Sequence, residues 1–379
     1  MTRPRLFFID NLRTVMIVLV IMVHLSVTYG GEGSWFYKEG RADTLTTVLL
    51  TFHNATMQSF FMGLLFGLSA YLAVGSYDRK GPGRFLKDRF LRLGVPLLVY
   101  EFIIHPLQAY PLIQAGALDL DGSFSEMLVG YYTSFHIGSG PLWFVETLLI
   151  FTLVYTTIRV IGKSAKPSEP RRSAPPGPKA ILAFAVALGV LTFFARLIWP
   201  IGWAFGPLNL QLCFFVQYIG MLAVGVRAYR GDWLTGLPQA TGRRCLIVAI
   251  VLITVILPVL FILGGALQGN VPKFMGGWHW QAFAYAIWEQ LLGLAMMVGL
   301  IVLFRKRFNR QGKLAKEAGA SSYTAYIIHT PILIVCTLAV RDVQLFPLLK
   351  FALAGLVLVP ISFALGAALR RAPLAKHVL

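Results

Sequence analysis

Ten long apolar segments run through this chain of 379 residues, and its basic residues fall almost entirely on every second connection between them. With soft boundaries the segments are 14–30, 48–75, 92–112, 141–162, 179–199, 208–228, 245–267, 281–304, 321–340 and 347–369. Each is near the roughly 20 residues that a helix needs to cross a bilayer. In lipid the backbone must satisfy its own hydrogen bonds, so apolar segments of this length are helices. Of 34 Lys and Arg residues, 28 lie on one set of loops and termini and 6 on the other. Basic loops stay in the cytoplasm. The pattern therefore predicts an all-α integral membrane protein, a bundle of about ten transmembrane helices with both termini cytoplasmic. The net charge of +18 is then topology, with some attraction to anionic lipid, rather than a nucleic-acid surface.

The first segment has the basic start of a signal peptide, but a polar His24 sits within it and nine further segments follow, which reads as a retained helix. Cys213 and Cys336 fall inside helices and Cys245 at a cytoplasmic boundary, so free thiols are expected. One stretch, 163–178, is rich in proline and charge and cannot build a packed core. It predicts a flexible cytoplasmic linker between helices four and five of a single polytopic domain. The longest outer connection, 113–139, carries Asp119, Asp121 and Glu126 and no Lys or Arg. It is either a lid or short surface helix, or a plain loop. No internal repeat shows, nor an inverted pair of broken helices of the kind many transporters have.

The informative residues are ionisable groups inside the apolar segments. Such groups are costly in lipid and face the bundle interior or a cavity. At about 1.5 Å per residue, His24 lies roughly 16 Å from Arg13 at the cytoplasmic end of its helix. Glu101 and His105 lie roughly 13 and 20 Å in from Arg92, and His329 about 12 Å in from its cytoplasmic end. Glu146 and Glu289 enter from the outer side to a similar level. These groups converge on a middle layer, as a functional site or as separately satisfied structural residues. Arg13 and His24 are eleven residues apart, close to three turns, and so share a face. Asp10 is one turn before Arg13 and is placed to pair with it. Arg13 is either part of a stripe leading inward or a positive-inside anchor. Arg89 and Arg92 stand one turn apart at a cytoplasmic helix start, where guanidinium groups favour phosphate. A polyphosphate such as coenzyme A fits there, and so does a purely topological role.

Four stretches together carry a family resemblance. Arg5-Leu-Phe-Phe-Ile-Asp10-Asn-Leu-Arg13 followed by His24 resembles the opening signature of the membrane-bound acyltransferase family 3. Arg89-Phe-Leu-Arg92 is similar to its R-x-x-R element, and Pro141-Leu-Trp143-Phe144 to its L-W-F element. Ser322-Tyr323-Thr-Ala-Tyr326-Ile-Ile-His329-Thr-Pro331 resembles its late S-Y-x-x-Y-x-x-H-x-P element. Within the family, the first segment and the L-W-F region look most like the branch that succinylates periplasmic glucans. The resemblance implies transfer of an acyl group, acetyl or succinyl, from cytoplasmic acyl-CoA to a hydroxyl of an exported glycan or related acceptor. It maps the catalytic His to His24, with Arg13 on the same helix and Arg89 and Arg92 on the donor. Members with a fused extracytoplasmic esterase-like domain differ from this chain, so onward transfer is expected of this domain or a partner.

The residues suit that chemistry. A neutral imidazole can take the acceptor proton, an effect of about 10²- to 10⁴-fold, or accept the acyl group as a nucleophile. Glu146 or Glu289 are candidates to orient it. Trp143, Glu101, His105, Glu289, Tyr326 and His329 are candidate site lining. Acyl-CoA is expected as co-substrate, with no tightly bound cofactor. No metal-ligand spacing, nucleophile elbow or P-loop occurs, so neither a metal centre nor nucleotide hydrolysis is expected. Trp35, Trp199, Trp203, Trp278 and Trp280 are placed to stack on sugars or to form an interfacial belt. A transporter using the same buried charges, and a structural or lipid-binding component, remain as alternatives.

Overall fold

The computed structural model describes residues 5–118, 123–133, 138–162, 173–373, 375 and 378. Nine helical spans among them are long and apolar enough to cross a membrane. They are α1 (Phe7–Thr28), α2 (Thr44–Gln114), α3 (Gly140–Ile161), α4 (Pro178–Ile198), α5 (Leu212–Gly231), α6 (Gln239–Gln268), α7 (Trp280–Arg307), α8 (Lys313–Ala339) and α9 (Pro347–Arg371). Every predicted apolar segment falls on one of them.

Nine spans hold ten predicted segments because 48–75 and 92–112 belong to one run. α2 is 71 residues long. At about 1.5 Å per residue it would extend more than three times the hydrocarbon thickness of a bilayer. The run breaks at Gly81, whose φ of 72° only glycine adopts freely, and Pro82 follows. Lys80 and Asp88 pair across the break. The apolar pattern had separated the two arms correctly. It did not show that a Gly-Pro corner alone joins them.

Three prolines shape the spans further. Phe90–Gly94, Tyr100–Ile104 and Leu252–Ile256 wind with the wider i→i+5 turn. Each stands two residues before a proline: Pro96, Pro106 and Pro258. Proline offers no N–H, and its ring excludes the carbonyl four residues back, so the helix widens and carbonyls are left over. In lipid these need other donors. Tyr323 donates its hydroxyl to the Arg92 carbonyl at 2.6 Å and Tyr132 to that of Phe102 at 2.6 Å. Tyr131 serves Glu101 at 2.8 Å, while Trp288 Nε1 adds a second bond, at 2.8 Å, to the Leu252 carbonyl that Leu257 N already serves.

α1 and α7 lie in the middle of the bundle. α1 packs on α2, α7, α8 and α9, and α7 on α2, α4 and α6. α6 lies at the edge and exposes Ile247, Ile250, Val255, Ile262 and Leu263. A water-exposed face this apolar would be an association site; facing acyl chains it needs no cover. Small residues allow the closest crossing. A Cβ on Gly225 of α5 would stand 2.2 Å from the Gly67 carbonyl oxygen of α2, the close backbone approach that small residues permit between membrane helices.

Ion pairs tie the helix ends. Asp78 of α2 binds Arg159 of α3 at 3.1 Å and Arg230 of α5 at 2.6 Å. Glu317 of α8 holds Arg370 and Arg371 of α9, each at 3.0 Å. Two of the basic residues outside the basic connections are buried in pairs instead. Arg196 of α4 meets Glu289 of α7 at 2.7 Å, and Lys350 of α9 meets Glu39. Cys213, Cys245 and Cys336 are free, as expected.

The acidic connection 113–139 includes a short helix, Phe124–Thr133. Its Tyr131 and Tyr132 reach the freed carbonyls of α2 described above, so of the readings for 113–139 the surface helix holds for this part. Asp119 and Asp121 lie outside the described residues, as do 163–172 of the expected linker. In its remaining part, Ser173 N donates to the Gly231 carbonyl at 3.2 Å, and Trp233 Nε1 to the Ser173 hydroxyl at 2.9 Å.

Candidate active site

His24, on the buried α1, meets two other rings. Its imidazole is stacked on Trp35, with centroids 4.0 Å apart and planes at 20°. On α8, His329 lies 5.2 Å from His24 at 17° and 6.3 Å from Trp35 at 18°. The two histidines expected at similar depth from separate helices are therefore neighbours. Aromatic pairs in such offset geometry contribute about 0.5–1.5 kcal/mol beyond area burial.

Trp35 reaches His24 because the chain after α1 folds back. Gly30, at φ 122°, turns the backbone, and a Cβ there would stand 2.3 Å from the Ala42 side chain. Gly31 N then bonds the Ser26 carbonyl at 2.8 Å, and Glu39 N bonds the Thr28 carbonyl at 2.8 Å. Asn54 of α2 donates to the Glu32 carbonyl at 2.9 Å. Burial and the nearby Glu39 push the Tyr37 phenol up. Where the segment ends, the Asp43 carboxylate caps α2 by accepting from Thr46 N and its hydroxyl, which hold it below its ordinary value.

Polar atoms in this layer lack protein partners. Among the described residues, His24 Nδ1, His329 Nε2, Trp35 Nε1 and one Glu146 carboxylate oxygen are buried without a hydrogen bond. Buried polar atoms are nearly always satisfied, so several orphans in one layer need an explanation. His329 Nδ1 is satisfied, since it donates to the Tyr326 carbonyl.

The other expected residues divide. His105 touches Phe36 at 5.6 Å between ring centroids and meets the Tyr131 hydroxyl at 3.2 Å. It thus joins the His24 layer through Trp35 and Phe36, whose rings are 5.3 Å apart. Glu146 lies near Ser139, whose hydroxyl donates to the Leu208 carbonyl at 3.4 Å, and within Coulombic range of Glu101. Neither Glu146 nor Glu289 is hydrogen-bonded to His24; stacking on Trp35 sets that ring's plane. Glu289 belongs to a separate cluster, in which Gln290 donates to it at 3.1 Å and Gln217 to Gln290 at 2.9 Å, beside Arg196. Trp143 stacks on Tyr218 at 5.6 Å rather than on a histidine.

The late motif fastens the others together. Tyr323 binds the Arg92 carbonyl, and Tyr326 donates to the Pro141 carbonyl of the L-W-F element. His329 follows one turn later beside His24. Asn11 of the opening stretch donates to the Phe308 and Arg310 carbonyls at 2.7 and 3.1 Å, locking α1 to the connection before α8. Asp10 pairs with Arg5 at 2.8 Å instead of with Arg13, because Arg5 reaches back over the helix start. Arg13 lies within Coulombic range of Arg89, and Arg89 of Arg92. Arg89 also rests over the Phe85 ring at 5.1 Å and lines a small cavity of about 30 Å³ with Ser69, Phe151 and Tyr155.

Sequence reasoning missed the stacking role of Trp35 and the buried Arg196 and Lys350. The two cations did carry a signal: both break the charge alternation inside or beside an apolar segment.

A membrane bundle with paired histidines in one layer and arginines clustered at helix ends suits a membrane acyltransferase. The chain belongs to the family described as "Acyltransferase domain", which it matches over residues 6–367. It is similar to "Glucans biosynthesis protein C" of Salmonella heidelberg (strain SL476), 22% identical over 345 residues, 87% of this chain and 82% of the relative. The same-named proteins of Salmonella typhi and Salmonella agona (strain SL483) are 22% and 21% identical over the same shares. The expected likeness to the glucan branch is thus found. No solved structure matches the chain significantly.

Proposed function

We propose that this protein is an O-acyltransferase of the cytoplasmic membrane, with both termini in the cytoplasm. It takes an acetyl or succinyl group from cytoplasmic acyl-CoA and delivers it to a hydroxyl of an extracytoplasmic glycan. The observation that carries this is the joining of three motifs by one helix: α8 contacts the arginine pair through Tyr323, the L-W-F element through Tyr326, and His24 through His329. Donor phosphates fit at Arg13, Arg89 and Arg92, since guanidinium forks suit phosphate and, among the described residues, no carboxylate forms a salt bridge with these three. The pantetheine arm then runs inward toward His24, roughly 16 Å along α1. His24 acts there as base or as acyl-accepting nucleophile. The glycan approaches from the side of Trp35 and the helix Phe124–Thr133. The acyl group crosses the membrane while the coenzyme stays behind. The acceptor class draws on the relatives, which are named for glucan biosynthesis.

The test is labelled acyl-CoA supplied to inside-out vesicles holding the unaltered chain. Labelled glycan is the expected product, and His24→Ala should abolish it with expression unchanged. Label that stays on denatured protein marks the covalent route. Counterflow of an unmodified solute, with no acylated product, would show a transporter instead.

A further inference from the structure

The stacked trio has one property that the acyl-transfer reading leaves unused. His329 Nδ1 contacts a backbone carbonyl, that of Tyr326. A carbonyl only accepts, so the ring proton is on Nδ1 and the lone pair is on Nε2. That lone pair is buried and unpartnered. Trp35 Nε1–H, the only hydrogen-bonding group of its side chain, is a buried donor without an acceptor. Their rings are near-parallel and 6.3 Å apart, with His24 against both. An unfilled acceptor and an unfilled donor this close match one chemical group that both gives and takes a hydrogen bond. A hydroxyl is such a group.

We propose that His329 is a second catalytic residue: its Nε2 takes the proton of the acceptor hydroxyl while Trp35 Nε1–H holds that oxygen. This rests on the acyl-transfer reading and assigns the acceptor side of it. As the O–H bond breaks, its proton moves to His329 Nε2 and the oxygen forms a bond to the acyl carbon. The bond from the acyl carbon to its donor breaks, and the departing electron pair ends on the coenzyme sulfur. The proton held by His329 leaves with the coenzyme as its thiol. His24, whose Nδ1 is also unfilled, is then free to serve the donor. The fixed tautomer is the reason for the assignment, because a helix carbonyl holds it before any substrate arrives.

His329→Asn separates base from scaffold. The asparagine amide nitrogen overlays ring Nδ1 and keeps the donation to Tyr326, but nothing basic remains at Nε2. In proteoliposomes with labelled acyl-CoA and glucose oligosaccharides, transfer should fall by about 100-fold or more, with acyl-CoA affinity and melting temperature unchanged. Hydroxylamine attacks as a neutral amine and needs no base. It should therefore be acylated by His329→Asn at nearly the rate of the unaltered protein, and not by His24→Ala. Oligosaccharide transfer that survives in His329→Asn overturns the proposal. So does loss of the hydroxylamine reaction along with it, or failure of both His329→Asn and His329→Gln to fold, since each assigns the residue to packing. If the unaltered chain acylates neither acceptor, the acyl-transfer reading itself fails, a result separate from all of these.

Discussion

Trp35 lies flat against His24, at 4.0 Å between ring centroids, although it belongs to the connection after α1 and not to a span. The contact holds one face of the imidazole and brings an indole N–H into the same layer. No carboxylate performs that task, so ring orientation at this site depends on a loop.

Trp35→Ala should therefore lower turnover more than it lowers stability. Loss of a stacked pair, about 0.5–1.5 kcal/mol, corresponds to roughly a two- to tenfold effect when it appears in the transition state. Trp35→Phe keeps a stacking ring but not the N–H, and should fall between. The measurement is kcat for glycan acylation beside the melting temperature of each variant. Equal kcat in Trp35→Ala and the unaltered chain would show that the stacking does nothing for His24.

Tyr323 and Pro96 make a coupled pair. The hydroxyl answers a carbonyl that the proline has stripped of its helical partner. Tyr323→Phe removes that carbonyl's hydroxyl donor, a cost of about 0.5–1.5 kcal/mol. Pro96→Ala returns an N–H to the helix and removes the need. In a Pro96→Ala background, Tyr323→Phe should cost markedly less, read as a difference of melting temperatures in a double-mutant cycle. Strict additivity would mean that the tyrosine serves something other than the freed carbonyl.

What the sequence discloses and conceals follows from range. Apolar length and charge alternation are local, and they locate every span and place His24 and His329 at similar depths. The docking of Tyr323 on Arg92 pairs residues 231 apart, and no periodicity encodes that. Trp35 was hidden because its position follows from a glycine turn at Gly30 and not from a helix face. Arg196 and Lys350 read as exceptions to a charge rule until their carboxylates came into view. Glu289 shows the limit of depth alone: it lies at the expected level but on another helix face, committed to Arg196.

Arg196→Met should destabilise strongly. Arg196 is wholly buried, and its removal leaves Glu289 as an uncompensated charge in the bundle, a cost of about 3–5 kcal/mol. The double variant Arg196→Met with Glu289→Leu removes both charges and should recover most of that loss. Because this cluster stands apart from the stacked histidines, the refolded double variant should keep acyl transfer near the unaltered rate. Thermal melts in detergent and vesicle assays read the two quantities separately. A stable but inactive double variant would place the Arg196–Glu289 pair in the chemistry after all.

The arginine cluster gives a prediction with opposite signs. Arg89 lies within Coulombic range of both Arg13 and Arg92, and among the described residues no salt bridge with a carboxylate joins any of the three, although Asp10 and Asp88 offset part of their charge from further away. Asp10 is paired to Arg5 and Asp88 to Lys80, so the nearest acids are already used. Three like charges held together oppose folding unless an anion joins them, and sites built for ligands commonly carry such a cost. Arg89→Ala should therefore leave the donor-free protein as stable as before or more so, while it weakens acyl-CoA binding. The loss should be largest at low salt, because screening weakens a partly exposed phosphate contact. Arg89→Lys should restore part of the affinity, since an ammonium keeps the charge but not the planar fork. Calorimetric titration of acyl-CoA at two salt concentrations, beside melting curves without ligand, measures both signs. A lower melting temperature together with unchanged acyl-CoA affinity would show that Arg89 anchors topology and that the donor binds elsewhere.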